Sequence, residues 1–168
     1  MMPSEHSRSA PAGEGPDTSP LSVHEEIFPG DTNAYGTAFG GRILALMDRA
    51  AGLAASRFAR SDFVTASLDA LEFRGPVRQG QIAEVEAQVV YAARHTVGVR
   101  VRVFAIDKAD WERRPCCEGV LFMVAVGPDG RPRPVPGFAP ADDAARERFV
   151  EAETIHKQML SRRRARSL

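Results

Sequence analysis

Between Ile82 and Tyr91 the polar residues Glu84, Glu86 and Gln88 alternate with Val85, Ala87 and Val89, the period of two that a strand shows when one of its faces is wet. Val97, Val99, Val101 and Val103 alternate in the same way with Gly98, Arg100, Arg102 and Phe104. Joining the two runs through Ala92-Ala93-Arg94-His95 as an antiparallel hairpin, with a turn centred near Ala93, sets Glu84 opposite Arg102 and Glu86 opposite Arg100, a charge-complementary register on the solvent face. Residues 64–73, rich in Val, Thr and Leu, predict another strand, closed by Gly75-Pro76 and Gln79-Gly80. From about Cys116 to Val126 the chain is almost continuously apolar, as expected in the middle of a sheet covered on both faces. A short extended segment spans 21–28.

The spacing becomes helical from about Phe39 to Phe58. From Gly41 to Phe58 the ionisable residues are Arg42, Asp48, Arg49 and Arg57. Arg42 and Arg49 share one stripe to which Arg60 returns, so that side should meet water. Asp48 lies on a different stripe, with Gly41 and Ala55, and its neighbours three and four residues away are Leu44, Ala45, Ala51 and Gly52. A second helix follows the extended linker of Pro132, Pro134 and Pro136. Its apolar residues, Ala145, Phe149, Ala152, Ile155 and Met159, form one stripe that packs on the outside of the domain or on a neighbour. Residues 1–20, rich in Ser, Pro, Gly and Ala, read as a disordered tail.

At 168 residues and 43% hydrophobic, the chain suits one domain with a real core. Lys and Arg total 22, equal to Asp and Glu at 22, so net charge gives no reason to expect nucleic acid or an anionic membrane as partner. No apolar run approaches the roughly 20 residues of a membrane span, and the first residues lack a signal peptide's hydrophobic region, so a cytoplasmic location is expected. Cys116 and Cys117, adjacent in a strand, should point to opposite faces and make poor partners. With no histidine or second cysteine pair nearby, they read as ordinary reduced thiols and no metal is expected.

The chemistry concentrates in Asp31-Thr32-Asn33-Ala34-Tyr35-Gly36-Thr37-Ala38-Phe39-Gly40-Gly41 and the helix it opens. A glycine-punctuated loop before a helix presents free N–H groups and the positive end of the helix dipole, which suits a carbonyl oxygen becoming negative. Asp48 could supply a base. Among apolar and small neighbours it is expected to be desolvated, the setting of a functional carboxylate; the other reading is a border residue paired with a strand arginine. Seven helical residues rise roughly 10 Å, so Gly41 and Asp48 of one helix do not easily reach one carbonyl, and two antiparallel copies would have to share the site. Ala50, Ala51, Gly52, Ala54 and Ala55 either allow such close helix packing or only fit the concave face of a twisted sheet.

Asp31-Thr32-Asn33, Gly36, Phe39-Gly40-Gly41 and, five residues on, Met47-Asp48 resemble the active-site segment of the hotdog-fold acyl-CoA thioesterases, in the group of brain acyl-CoA hydrolase and the YciA-type enzymes. The resemblance continues through Val64-Thr65-Ala66-Ser67, Phe73-Arg74-Gly75-Pro76-Val77 with Gly80, Arg94-His95-Thr96, and Glu118 to Val126 with Gly130-Arg131-Pro132. It implies an α+β hotdog fold over residues 21–137, an antiparallel sheet of five or six strands wrapped around one long central helix. Residues 138–168 then form a C-terminal helical extension. It also implies hydrolysis of an acyl-CoA thioester at a homodimer interface, often with three dimers gathered into a hexamer, and no cofactor beyond the CoA of the substrate.

Carried over residue by residue, Asp48 matches the catalytic carboxylate, Asn33 the loop asparagine of the same site, and the backbone at Gly40 and Gly41 the carbonyl-polarising helix start. Thr37 could share the work of Asn33, whose other reading is a turn residue satisfying its own loop. Arg94 and Thr96 match positions expected near the CoA moiety, and Thr65 is expected to contact substrate. Arg74 meets phosphate or is a surface turn charge. The chain departs from the pattern at Phe39 (often His), Thr37 (Asp or Asn), Ala93 (Gly) and Gln81 (Asp). The competing reading is a non-catalytic hotdog module that binds acyl-CoA as a sensor or docking domain.

Overall fold

The computed structural model describes residues 16–166, so the first fifteen residues of the expected tail lie outside the described residues. In chain order the elements are β1 (Leu21–Glu26), a 3-10 turn at Pro29–Asp31, α1 (Gly40–Ala59), β2 (Asp62–Phe73), β3 (Ile82–Ala93), β4 (Thr96–Ile106), β5 (Arg113–Val126) and α2 (Asp143–Arg166). The strands form one antiparallel sheet of five, in the order β1-β3-β4-β5-β2. Residues 16–20 are tethered to both layers: Asp17 pairs with Arg57 of α1, and the Thr18 carbonyl accepts from Gln88 of β3.

α1 lies across the concave face. Its buried residues are Ile43, Leu46, Met47, Ala50, Ala51, Ala54, Ala55 and Phe58, and they meet the inward rows Ala83, Val85, Ala87, Val89 on β3 and Val97, Val99, Val101, Val103 on β4. The alanines thus fit the sheet, where their small side chains let the helix sit close to the valine rows. α1 ends with Arg60 in the left-handed region (φ 52°), its N–H returning to the Ser56 carbonyl.

Two of the period-two readings hold, but the register does not. The hairpin loop is Arg94-His95, with Ala93 opposite Thr96, so the turn sits further along the chain than Ala93. An extra residue, Val90, is inserted between the pairs Val89↔Val99 and Tyr91↔Gly98. Together these put Glu86 opposite Arg102 and Gln88 opposite Arg100, while Glu84 faces Phe104. Because the displacement is even, every side chain keeps its face. Charge complementarity survives with new partners: Arg102 pairs with Glu86 (2.7 Å), Arg100 with Glu118 (2.5 Å), and Arg113 with Glu84 and Glu86 (both 2.5 Å).

Cys116 and Cys117 correct a second expectation. Val103 pairs with Cys117 and the next residue, Phe104, with Pro115, so Cys116 is the extra residue of a β-bulge. The bulge breaks the alternation, and both thiols are buried in the core beneath α1.

β5 is covered on both faces, by α1 within and by α2 outside. The expected stripe on α2 is the packed one: Ala152 and Met159 are buried, with Phe149 and Ile155 beside them, against Val90, Tyr91, Val120 and Phe122. The stripe reading passed over His156, which is 8% exposed, stacks on Phe122 with ring centroids 5.2 Å apart, and lies with Nδ1 3.1 Å from the Tyr91 hydroxyl.

Burial, and secondarily the charge of Arg163, lowers the His156 pKa from its ordinary value near 6.5. The unfolded chain therefore takes up the proton at higher pH than the folded one, and stability falls as pH drops below about 6.5. Thermal melts between pH 8 and 5 are expected to show this loss, and His156→Gln, which keeps a hydrogen-bonding partner for Tyr91 without titrating, should show a shallower fall. Equal slopes for the two proteins would remove His156 as the cause.

Candidate active site

The loop before α1 is built by its own polar groups. Asn33 Oδ1 accepts from the backbone N–H of Tyr35 (2.9 Å), the N–H of Thr37 (3.3 Å) and the Thr37 hydroxyl (3.2 Å). Its backbone closes the same turn, with Asn33 N–H donating to the Thr37 carbonyl and Gly36 N–H to the Asn33 carbonyl. Gly36 has φ +69°, a conformation that glycine adopts without strain. Asn33 thus acts as a turn residue, its side-chain oxygen taken up by its own loop. Arg42 ties this end of α1 to the sheet through Glu25 of β1 (2.6 Å) and Asp31 (2.8 Å).

That loop delivers a helix start without a side-chain cap. The first helical N–H groups to find acceptors are those of Arg42 and Ile43, both on the Phe39 carbonyl. The amides of Gly40 and Gly41 have no acceptor among the described residues, and a Cβ built on Gly41 would meet nothing within 4 Å. Beside them opens a cleft of about 460 Å³, bounded by Thr37, Gly40, Ile43, Phe73, Arg74 and Cys116 among others. That is the size of a small-molecule site, mostly apolar with a few polar groups at its edge.

Asp48 is not buried in the single chain. It lies with Gly41, Ala45 and Arg49 on the exposed side of α1, with Gly52 half-buried beside them. Its carboxylate accepts a hydrogen bond from the Thr65 hydroxyl on β2. Thr65 therefore orients the carboxylate, and no arginine pairs with Asp48 among the described residues. The expected water-facing arginine side is also only partly so: Arg42 and Arg57 are half-buried in ion pairs, while Arg49 and Arg60 are exposed.

Arg94 and Thr96 are not gathered with these groups in one chain. Arg94 occupies the β3–β4 turn with φ 26°, and its carbonyl accepts from Val135 N–H. Thr96 alternates with the core residue Val97, which places it on the outer sheet face, away from α1. His95 is a turn residue whose carbonyl accepts from Ala125 N–H. Arg74 lines the cleft and reaches Glu72 at 3.3 Å. The sequence reading did not place Ile43, Phe73, Val77 or Cys116 at a site. For Cys116 no local pattern could have done so, because the bulge that turns it inward is set by the register of β4.

One long helix wrapped by an antiparallel sheet is the architecture of the hotdog class of proteins; here the helix starts without a side-chain cap, and a strand hydroxyl holds an exposed carboxylate. Residues 35–111 match the family model described as thioesterase superfamily. A hexameric acyl-CoA thioesterase solved in its apo form is similar with a TM-score of 0.81 at 33% identity, over 89% of this chain and 96% of that one. An acyl-CoA hydrolase from Staphylococcus aureus, solved with butyryl-CoA, CoA and CoA disulfide, is similar with a TM-score of 0.79 at 30% identity, over 88% of this chain and 90% of that one. That hydrolase has also been solved with an asparagine, an aspartate or a threonine changed to alanine. The acyl-CoA thioester hydrolase YciA of Salmonella typhimurium is 32% identical over 119 residues, 69% of this chain and 90% of YciA. The cytosolic acyl coenzyme A thioester hydrolase of Mus musculus is 28% identical over 147 residues, 86% of this chain, which spans 39% of the mouse protein's length. The chain belongs to the thioesterase superfamily, among its hotdog-fold acyl-CoA thioester hydrolases.

The three bonds to Asn33 Oδ1 give a stability prediction. Asn33→Ala, which leaves two backbone N–H groups and a hydroxyl without that acceptor, should cost about 1–2 kcal/mol in urea unfolding. Asn33→Asp keeps an acceptor oxygen and should stay within about 0.5 kcal/mol of wild type.

Proposed function

We propose that this chain hydrolyses acyl-CoA thioesters to a free acid and CoA. The observation that carries the reading is the pairing of Asp48, open to solvent and oriented by Thr65, with the unpartnered amides of Gly40 and Gly41 on the same exposed side of α1. The three residues replaced in the Staphylococcus aureus hydrolase are spaced fifteen and seventeen positions apart in the order asparagine, aspartate, threonine. Asn33, Asp48 and Thr65 repeat both separations.

In the proposed reaction the thioester oxygen docks on the Gly40 and Gly41 amides, where a preorganised donor contributes about 3 kcal/mol as the oxyanion forms. Asp48 then takes a proton from water, whose hydroxide attacks the carbonyl, and returns it to the departing CoA thiolate. Alternatively, the Asp48 carboxylate itself attacks, expels CoA thiolate, and the mixed anhydride is hydrolysed by water. Both routes need only water and the residues named. Asn33 holds the loop that aims the amides, and Thr37 braces it. The rise from Gly41 to Asp48 along one helix, roughly 10 Å, requires the two halves to come from different subunits. A homodimer is therefore the smallest active unit. A trimer of dimers is the assembly supported by the hexameric relative, and in it Arg94 and Thr96 of a neighbour would reach the CoA. No helix among the described residues is long and apolar enough to cross a membrane; the cytoplasmic location expected from sequence is part of the same proposal, as is the absence of nucleic acid among the partners.

The test is CoA thiol release from a panel of short, long and aryl acyl-CoAs. Asp48→Ala should lower kcat/KM at least about a hundredfold while the oligomer and CoA binding persist. Gly41→Pro, which removes the amide N–H in the first turn of the helix where proline is tolerated, should lose turnover, and mixing it with Asp48→Ala subunits should restore it, since a mixed dimer contains one intact site. Wild-type protein that binds acyl-CoA tightly without turnover across the panel would establish the non-catalytic binding module instead.

A further inference from the structure

The alternation of faces along β2 switches at Ala66. Before it, Phe63 packs on the core and Thr65, two residues on, donates to Asp48 of α1. After it, Leu68 packs on the core, and Ser67 donates to Met159 Sδ of α2 at 2.5 Å. An unbroken strand would place Thr65 and Ser67 on one face. Here they serve opposite layers, because Ala66 is an extra residue between the pairs Thr65↔Met123 and Ser67↔Phe122. β2 is an edge strand with β5 as its neighbour in the sheet, and bulges at edges and beside active sites re-aim side chains. The end of α2 holds this one: Arg163 Nη2 donates to the Ala66 carbonyl at 2.9 Å, and Arg162 lies 3.8 Å from Asp69. The aim matters because the Thr65 hydroxyl carries one proton and has two acceptors in reach, the Asp48 carboxylate and Met123 Sδ at 3.4 Å.

We propose that Arg163 is a positioning residue for the hydrolysis, holding the Ala66 bulge where it points Thr65 at Asp48. The inference rests on the thioesterase reading and extends it to a helix outside the matched residues 35–111. A guanidinium is a charged donor, and its bonds are stronger than neutral ones. With that bond gone the extra residue can move along the edge strand. If the bulge moved ahead of Thr65, that residue would take the register of Ser67 and face α2; a smaller shift hands its proton to Met123. Either way the carboxylate loses the bond that orients it, and a misplacement of about 1 Å at a reacting group can cost about a hundredfold in rate. Arg163 touches no reacting atom and is itself exposed, so its truncation removes a hydrogen bond and no core packing.

The test is steady-state hydrolysis of acyl-CoA by the full chain and its variants, with a melting temperature for each. Arg163→Met, which keeps the stem and removes the donors, should lower kcat at least about tenfold, with KM, oligomer and melting temperature unchanged. Arg163→Lys keeps a charged donor and should recover most of the loss. In a Thr65→Val background Arg163→Met should lower kcat no further, because the two act on Asp48 through one hydroxyl. Arg164→Met, which removes the next exposed arginine, should match wild type. Wild-type kcat in Arg163→Met, no recovery in Arg163→Lys, or the same loss with and without the Thr65 hydroxyl would each overturn the positioning role and leave the thioesterase reading standing. A wild-type chain without turnover would instead remove that reading, and this inference with it.

Discussion

The structure depends on one contact: the small-residue side of α1 laid on the valine rows of the sheet. Ala50, Ala51, Ala54 and Ala55 are at most 1% exposed, as are Val97, Val99, Val101 and Val103 opposite them. Each alanine contributes little area, but short side chains bring helix and sheet together so that the longer Ile43, Leu46, Met47 and Phe58 are enclosed as well. Burial of this kind, at about 25 cal/mol per Å² of apolar surface, is the main favourable contribution in such a domain. Fixing that side inward also fixes the opposite one. Gly41, Ala45 and Asp48 are left facing out, on the side of the helix where the proposed reaction takes place.

Around this contact, polar groups do the aiming. Arg42 pins the first turn of α1 to Glu25 and Asp31, and Asn33 folds the preceding loop on itself, so the Gly40 and Gly41 amides point into the open. At the carboxylate, the Thr65 hydroxyl comes from an edge strand with a bulge at Ala66. The last turns of α2 support that edge: Arg163 donates to the Ala66 carbonyl (2.9 Å) and Ser67 to Met159 Sδ (2.5 Å). The C-terminal helix therefore braces the strand that orients Asp48, in addition to covering Tyr91 and Phe122 on the outer face.

Bulges supply the rest of the individuality of this fold. An extra residue at Val90 restores the facing of the β3–β4 hairpin after its turn, one at Ala66 frees a carbonyl for Arg163, and one at Cys116 turns a second thiol into the core. Each changes where a few side chains point without changing the sheet order, which is how one architecture acquires local chemistry.

By itself, the sequence determined what depends on neighbours within a turn or a pleat. The alternation of Glu84, Glu86 and Gln88 with valine and alanine, the apolar run of β5, the stripe of α2 and the glycine loop before α1 are all local patterns, and the elements follow from them. The motif from Asn33 to Asp48 was legible for the same reason, since its spacing lies within one loop and one helix. Tertiary structure decided whatever required two distant segments to choose a register: the pairing of Glu86 with Arg102, the shared facing of Cys116 and Cys117, the burial of His156 under Tyr91, and the bond from Thr65 to Asp48. It also decided that Asp48 stands open in one chain, because exposure depends on which side of α1 the sheet claims, and no window of sequence contains both the helix and the strands that claim it.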